Sequence, residues 1–177
     1  MSNIIYIKSW KSPVGELLLG SIDDKLCLCD WKYRKLRERV DTRLKEALDA
    51  EFVEADTIVT LNTISQLEEY FDGERKEFDI PLRLAGTPFQ VSVWKKLLQI
   101  NYGFTESYLG LSTNLGKPEA IRAVASANGS NAISILIPCH RVIGADGKLT
   151  GYAGGIDAKK TLLELEGVIK TIQTTLF

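Results

Sequence analysis

Long apolar runs, cysteine and histidine are all scarce in this sequence of 177 residues, which contains three cysteines and one histidine. No segment reaches the roughly 18 consecutive apolar residues that a membrane-spanning helix needs. The N-terminal residues also lack the basic start and the apolar run of a secretory signal peptide. With 45% hydrophobic residues, the chain can still bury a core of its own. These features predict a globular protein with no membrane partner, located in the cytoplasm or, if the source is eukaryotic, in the nucleus.

The cysteines are too few and too unevenly spaced for a disulfide framework. Cys27 and Cys29 are two residues apart in one apolar run, so they lie on the same face of a predicted strand. Buried, reduced side chains are favoured for both. The single histidine and the lack of a C-x-x-C pair also argue against a metal site. We therefore expect reduced thiols and no bound metal.

The charge is balanced overall but uneven along the chain. Residues 1–84 carry 13 basic and 17 acidic side chains, whereas residues 85–177 carry 9 and 6. A basic surface attracts anionic partners such as nucleic acid. The basic excess is small, so the charge only weakly favours such a partner for the second half.

The first half shows the pattern of a compact α/β unit. Three β-rich runs, at residues 4–7, 14–20 and 26–31, are separated by turn signals. Two stretches with helical spacing follow, at about residues 35–50 and 61–71. The sequence therefore predicts a small antiparallel sheet accompanied by two helices.

The second half is predicted to be mostly helical. Thr87-Pro88-Phe89-Gln90 matches a capping box with proline at the first helical position, which predicts a helix over residues 88–99. Two shorter helices are predicted over residues 107–116 and 118–129, each ended by a glycine. Their short connection is typical of a helix-turn-helix.

The helix predicted at residues 119–128 is rich in alanine and other small residues. A helix this slim can approach the minor groove of DNA, which is only about 6 Å wide. It can equally pack closely against a neighbouring helix, and this second reading is the more common one. The segment alone leaves both open.

The chemistry-bearing segment is Pro138-Cys139-His140-Arg141-Val142, which continues into a glycine-rich stretch. A cysteine is a strong nucleophile only as the thiolate, and His140 and Arg141 offer a base and a positive charge that favour it. Neighbouring side chains in an extended segment point to opposite sides, so we expect His140 to reach Cys139 through a water. A structural cysteine beside a satisfied histidine remains the alternative.

The five residues 138–142 resemble a motif of the O6-alkylguanine-DNA alkyltransferases, also called methylated-DNA-protein-cysteine methyltransferases. The resemblance covers essentially all of residues 61–167. It includes residues 86–90, 93–94, 102–103, 107–108, 122–124, 127–129, 131, 151–155 and 162–166. It implies direct reversal of O6-alkylguanine in DNA, and to some extent of O4-alkylthymine.

The resemblance implies a transfer that consumes the protein and needs no cofactor. Cys139 would attack the alkyl carbon and keep the alkyl group as a stable thioether. His140 would take the thiol proton through a water and share charge with Glu166, which lies in a helix that Asp157 caps. Asn131 would brace the turn that presents the cysteine.

The partner that the resemblance implies is double-stranded DNA, contacted from the minor groove with the alkylated guanine flipped out of the stack. Arg122 would fill the gap, and Tyr108 would help to rotate the 3′ phosphate and donate its hydroxyl to the guanine ring. The base edge would be read by the backbone near Cys139, Val142, Tyr152 and Ala153. The further DNA-binding or base-binding residues implied are Ala123, Ala127, Asn128 and Arg141.

The implied fold is a mixed α/β fold in two domains. Residues 1–84 would form a ribonuclease-H-like domain, and residues 85–177 a mostly helical domain with the helix-turn-helix and the active cysteine. We expect a monomer. Some positions depart from the family pattern and put loop stiffness, damage preference and DNA affinity in question, but not the reaction: Asn101, Leu109, Ala125, Ser130 and Ala132.

Three other functions compete with alkyl transfer. A relative that recognises the lesion without transfer would lack the cysteine, which Cys139 argues against. A transcriptional switch that reads the alkylated state normally carries a further metal-binding and DNA-binding portion, for which this chain has no room. A hydrolytic thiol enzyme would be distinguished by turnover on an ester or a peptide.

Overall fold

The computed structural model describes residues 1–170 of the chain. Its strands are β1 (Asn3–Ser12), β2 (Gly15–Ile22), β3 (Lys25–Trp31), β4 (Ala50–Glu54), β5 (Glu106–Ser107) and β6 (Val142–Ile143). Its α-helices are α1 (Arg37–Leu48), α2 (Ile58–Phe71), α3 (Pro88–Leu97), α4 (Tyr108–Asn114), α5 (Ile121–Gly129) and α6 (Ile156–Leu165). Two short 3₁₀ segments are Pro118–Ala120 and Cys139–Arg141. The fold is mixed α/β, as the sequence predicts.

The N-terminal sheet has the strand order β3-β2-β1-β4. β1 and β3 pair with β2 in antiparallel fashion, which confirms the three predicted strands. The sequence missed β4, which pairs with β1 in parallel, so the prediction of a purely antiparallel sheet was wrong. The predicted helix over 35–50 ends early because Asp49 adopts a left-handed conformation, with φ of 46°, which stops α1.

Side-chain caps fix the helix starts in the second half. The Thr87 hydroxyl accepts from Gln90 N at 3.2 Å and the Gln90 side chain accepts from Thr87 N at 3.0 Å, which confirms the predicted capping box. The Ser107 hydroxyl likewise accepts from Gly110 N at 2.9 Å and starts α4. α3 ends at Leu97, two residues before the predicted position.

The outer edge of β3 is covered by two segments from later in the chain. Leu26 pairs with residues 81–83 of the connecting segment. Cys29 pairs with Ile133: Cys29 N donates to the Ala132 carbonyl at 2.8 Å, and Ser134 N donates to the Cys29 carbonyl at 2.7 Å. The N-terminal sheet is thus joined by main-chain hydrogen bonds to the segment that leads to Cys139.

One hydrophobic core runs through both halves of the chain. It joins Trp31 and Leu67 from the first half to Trp94, Val124 and Leu162 from the second. Burying apolar surface contributes roughly 25 cal/mol per Å², so this shared core links the stability of the two halves. No helix within residues 1–170 has both the length and the apolar character to cross a membrane.

Candidate active site around Cys139

A tight turn presents Cys139. The residue opens the 3₁₀ segment Cys139–Arg141, in which Arg141 N donates to the Pro138 carbonyl at 3.0 Å. The expectation that Cys139 and His140 lie in an extended segment was therefore wrong. The 3₁₀ turn, and not the alternation of a strand, sets the directions of their side chains. Extended structure begins only at Val142.

The Asn131 side chain fixes both the turn and the sulfur. Its Nδ2 donates to the Ile137 carbonyl at 2.9 Å and to Cys139 Sγ at 3.2 Å. Its Oδ1 accepts from Ile133 N at 2.9 Å. The amide is only 2% exposed, so these contacts replace water entirely and hold the sulfur in one place.

Cys139 is buried, with 3% of its surface exposed. Burial raises the pKa of the Cys139 thiol, and the hydrogen bond from Asn131 opposes that rise without cancelling it. The thiol is therefore protonated at neutral pH. A base is needed to generate the thiolate when a substrate is in place.

His140 and Glu166 form a fully buried pair, with His140 Nε2 2.7 Å from Glu166 Oε1. Burial alone would raise the pKa of Glu166, but the hydrogen bonds with His140 and Arg141 lower it to about 2. Glu166 is then a carboxylate that only accepts, so His140 Nε2 carries the hydrogen and Nδ1 the lone pair. Burial lowers the pKa of His140, which keeps the imidazole neutral. Its Nδ1 has no hydrogen-bond partner within residues 1–170 and is available as a base.

Arg141 lies in a different place from the one implied by the sequence. Instead of facing DNA, it is buried and forms a two-pronged ion pair with Glu166, with Nε 2.8 Å from Oε2 and Nη2 2.9 Å from Oε1. Its Nη1 donates to the Ile100 carbonyl at 2.6 Å. The planar guanidinium matches the carboxylate, and this pairing removes the side chain from the surface.

Glu166 is also bound from the first half of the chain. The Tyr70 hydroxyl, which comes from α2, donates to Glu166 Oε1 at 2.7 Å. Tyr70 is fully buried among aromatic side chains. No sequence pattern points to this contact, apart from the rule that a buried tyrosine hydroxyl requires a partner.

Two charged residues, Asp30 in β3 and Arg34 after it, bind the chain segment that precedes Cys139. Arg34 Nη1 donates to Asp30 Oδ2 at 2.8 Å and to the Asn131 carbonyl at 3.1 Å, and Arg34 Nη2 donates to the Gly129 carbonyl. Asp30 Oδ1 accepts from the Ser134 hydroxyl at 3.2 Å. Asp30 and Arg34 were not singled out in the sequence, because a charge pair spaced i,i+4 is usually a surface feature.

The helix α6 carries Glu166 at its C-terminal end. Gly155 occupies the N-cap position and no side chain caps the helix, so the expectation that Asp157 caps it was wrong; Asp157 lies inside the first turn. Lys159 is fully buried, and its Nζ donates to the Val142 carbonyl at 2.6 Å and to the Thr150 carbonyl at 3.0 Å. It thereby links the start of the glycine-rich loop to a point inside it.

That loop forms one wall of an open cleft of about 1000 Å³. Tyr33 donates to the Gly154 carbonyl at 3.1 Å, and the Trp31 ring packs edge-on against Tyr152 with centroids 5.1 Å apart. Tyr108, from α4, also lines the cleft and accepts a hydrogen bond from Thr150 at 3.2 Å. The cleft is lined by Tyr33, Arg34, Lys35, Leu36, Tyr108, Ala125, Gly129, Thr150, Gly151, Tyr152, Ala153, Gly154 and Gly155.

The helix α5 divides the implied DNA-binding residues into two groups. Arg122 and Ala123 are exposed. Ala127 and Asn128 are buried, at 3% and 5% exposure, which contradicts an outward-facing role for their side chains. The reason is the packing of α3 against α5, where Trp94 Nε1 donates to the Ala127 carbonyl at 2.9 Å.

The three cysteines are free thiols, and all three are buried. Within residues 1–170, no cluster of three or more histidine, cysteine, aspartate or glutamate side chains has a geometry that could hold a metal ion. Most polar groups around Cys139 are hydrogen-bonded to one another or to the main chain, whereas His140 Nδ1 has no partner among residues 1–170. They are arranged for proton transfer and for holding the sulfur.

Two family models match successive parts of the chain. Residues 5–84 match the family model of the 6-O-methylguanine DNA methyltransferase, ribonuclease-like domain. Residues 88–168 match the model of the 6-O-methylguanine DNA methyltransferase, DNA binding domain.

Relatives match over nearly the whole length. A methylated-DNA–protein-cysteine methyltransferase of Mycobacterium tuberculosis is 43% identical over 177 residues, covering 98% of this chain and 99% of that protein. The inducible methylated-DNA–protein-cysteine methyltransferase of Bacillus subtilis is 48% identical, covering 93% of this chain and 88% of that protein. A crystal structure of Mycobacterium tuberculosis OGT in complex with DNA superposes with a TM-score of 0.77 at 42% identity, covering 91% of this chain and 92% of that one.

Proposed function

This chain belongs to the 6-O-methylguanine DNA methyltransferase family, so it repairs DNA by moving an alkyl group from damaged DNA to a cysteine of its own, and we propose that the accepting atom is Cys139 Sγ. The observation that carries the assignment is the hydrogen bond from Asn131 to the sulfur. No other cysteine of the chain has both a side-chain donor on its sulfur and a histidine next to it in sequence.

Activation of the thiol is the first step. His140 Nδ1 takes the thiol proton through one water, and the imidazolium that forms is stabilised by the Glu166 carboxylate at Nε2. This route is supported by the neutral state of His140 and by the missing partner of Nδ1. Asn131 supports the same step, since a hydrogen bond to sulfur is stronger for a thiolate than for a thiol.

Transfer is the second step. A bond forms between Cys139 Sγ and the alkyl carbon while the bond between that carbon and guanine O6 breaks, and the electron pair of the broken bond stays with O6. One proton passes overall from the thiol to the guanine, through His140 and solvent. The thioether has no good leaving group, so each molecule reacts once and needs no cofactor.

The base must leave the duplex before it can react, because the buried sulfur of Cys139 cannot approach the alkyl carbon of a guanine that is still stacked and paired. We infer that the flipped base enters the cleft beside the glycine-rich loop, which both Tyr108 and Tyr152 line. The Tyr108 hydroxyl donates to the guanine ring and offsets the charge of the leaving group. Backbone groups near Val142 and Ala153 read the base edge.

Minor-groove contact is supported by the exposed face of α5. Arg122 and Ala123 lie there, the first long enough to fill the place of the flipped base and the second small enough for close approach. We propose that the protein acts as a monomer. Residues 1–84 then support the segment that leads to Cys139. Residues 85–177 bind the DNA and accept the alkyl group.

Intact mass spectrometry after mixing the protein with a duplex containing one O6-methylguanine tests the assignment. The wild-type protein should gain the mass of one methyl group per chain, located on Cys139 by peptide mapping, and Cys139→Ser should gain none. The matched control is Cys27→Ala, which should gain the same mass as wild type. Binding to the lesion without a mass gain would instead support a recognition module that transfers nothing.

A further inference from the structure

The Glu166 carboxylate accepts four hydrogen bonds from three side chains. His140 Nε2, Arg141 Nη2 and the Tyr70 hydroxyl all meet Oε1, at 2.7, 2.9 and 2.7 Å, and Arg141 Nε meets Oε2 at 2.8 Å. His140 and Arg141 belong to the turn that holds Cys139. Tyr70 comes from α2, 96 residues before Glu166 in the sequence.

We propose that Tyr70 is a positioning residue for alkyl transfer, which sets the basicity of His140 by sharing the oxygen atom of Glu166 that His140 uses. This inference rests on the proposed function only where it concerns the rate of transfer. The shared oxygen atom is a geometric fact that does not depend on it.

The physical argument follows from competition at one oxygen. A donor on Oε1 withdraws electron density from the hydrogen bond that Glu166 forms with the imidazole. Tyr70 therefore makes Glu166 a weaker partner for an imidazolium, which favours neutral His140. Without the hydroxyl, the carboxylate would concentrate its charge on His140 and stabilise the protonated form.

The other groups that face this pair include Tyr152, whose ring lies edge-on to His140 with centroids 6.4 Å apart and is the same in every variant tested. Arg141 contacts Glu166 directly, and Lys159, from α6, adds a further positive charge that disfavours imidazolium. Tyr102 packs against the Arg141 guanidinium at 5.8 Å, but its hydroxyl donates to the Leu165 carbonyl and not to Glu166. Cys139 contributes only when it is a thiolate. Of these groups, only Arg141 also donates to Oε1, and Tyr70→Phe leaves that bond in place.

The Tyr70 ring has a separate packing role that a phenylalanine would keep. It makes aromatic contacts with Phe71, Phe78 and Tyr102, with centroids 5.3, 5.4 and 6.2 Å apart. Tyr70→Phe therefore removes the hydrogen bond and keeps the ring. Glu166 retains its bonds with His140 and Arg141, so the variant should fold.

The test uses His140, the only histidine in the chain, as its own reporter. The Cε1–H resonance of tag-free protein is followed by NMR as a function of pH in wild type, in Tyr70→Phe and in the matched control Tyr102→Phe. We expect the His140 midpoint to rise by roughly half to one pH unit in Tyr70→Phe and to stay in place in Tyr102→Phe. The fall in the single-turnover rate of methyl transfer at low pH should begin at a correspondingly higher pH.

The outcomes separate this inference from the proposed function. An unchanged midpoint and an unchanged pH profile in Tyr70→Phe, even with a lower melting temperature, would overturn the inference and leave Tyr70 with a packing role only. If wild type gains no methyl mass, the proposed function fails and the kinetic part of the inference fails with it. The NMR titration would then still decide whether Tyr70 sets the basicity of His140.

Discussion

Cys29 and Cys139 are both buried in the same hydrophobic core, yet only one of them has surroundings suited to chemistry. Cys29 is fully buried, and Cys139 is 3% exposed. The strand that holds Cys29 is hydrogen-bonded to the segment that leads to Cys139. Burial and position in the core therefore do not distinguish the two residues.

The difference lies in the polar groups around each sulfur. Burial raises the pKa of the Cys29 thiol, and the charge of Asp30 raises it further. At Cys139, the Asn131 hydrogen bond opposes the rise in pKa that burial causes, and the neighbouring His140 has a ring nitrogen with no partner among residues 1–170. A nucleophilic cysteine is thus recognised by what contacts the sulfur, and its exposure is a poor guide.

The largest expected effect comes from removing the hydrogen bond between Asn131 and the Cys139 sulfur. Asn131→Ala should lower the transfer rate at neutral pH about 100-fold, because a hydrogen bond to a charged group contributes roughly 1.5–3 kcal/mol. Loss of the donor raises the pKa of the Cys139 thiol further, so the rate should recover partly as the pH rises. Single-turnover kinetics across pH measures both effects. Asn3→Ala, a distant asparagine that donates to the Leu48 carbonyl, is the control and should react like wild type.

Arg122→Ala changes the access of the damaged base to the Cys139 sulfur and leaves the contacts of that sulfur intact. Arg122→Ala should lower repair of duplex DNA roughly 30-fold, because holding a base out of the stack costs a few kcal/mol that the arginine offsets. Reaction with free O6-benzylguanine should change by less than about twofold, since no base has to be extruded. Equal losses on both substrates would rule out this role for Arg122.

Chemical labelling compares the three thiols directly. Burial raises the pKa of Cys27 to about 12, and its Sγ contacts only the Gly20 carbonyl as a hydrogen-bond partner. We therefore expect iodoacetamide at pH 8 to modify Cys139 about tenfold faster than Cys27 or Cys29 in the folded protein. Peptide mapping by mass spectrometry measures the order. Earlier modification of Cys27 would contradict the comparison.

The smallest effect is expected at Cys27. Cys27→Ala should reduce the free energy of unfolding by about 1 kcal/mol, the ordinary cost of removing a buried sulfur from a packed core. Its transfer rate should equal that of wild type. Urea denaturation and single-turnover kinetics measure the two quantities. A slower transfer would mean that the N-terminal sheet affects the sulfur of Cys139 more directly than its contacts indicate.

Local patterns predicted much of the fold. The capping box at Thr87, the cap at Ser107 and the three antiparallel strands are encoded in short stretches of sequence, and each was found. β4 was missed because a parallel edge strand has no hairpin turn to announce it, and its partner is about 47 residues away.

The site was less predictable than the fold. Cys139, His140 and Glu166 were recognised from a motif and a resemblance, and the structure brings the last two within 2.7 Å. The buried positions of Arg141 and Asn128 were missed because burial depends on neighbours from distant segments. Tyr70 was missed for the same reason, since a tyrosine in an apolar helix does not show which acceptor its hydroxyl meets.

The covered edge of β3 has a consequence for synthesis on the ribosome. Residues 81–83 and 132–134 complete this edge, so part of the outer edge of β3 stays open until more than three quarters of the chain has been made. An open, apolar edge is a template for pairing with other chains. The nascent N-terminal half is therefore the stage at which this protein is most exposed to aggregation, and emergence of the segment before Cys139 ends that exposure.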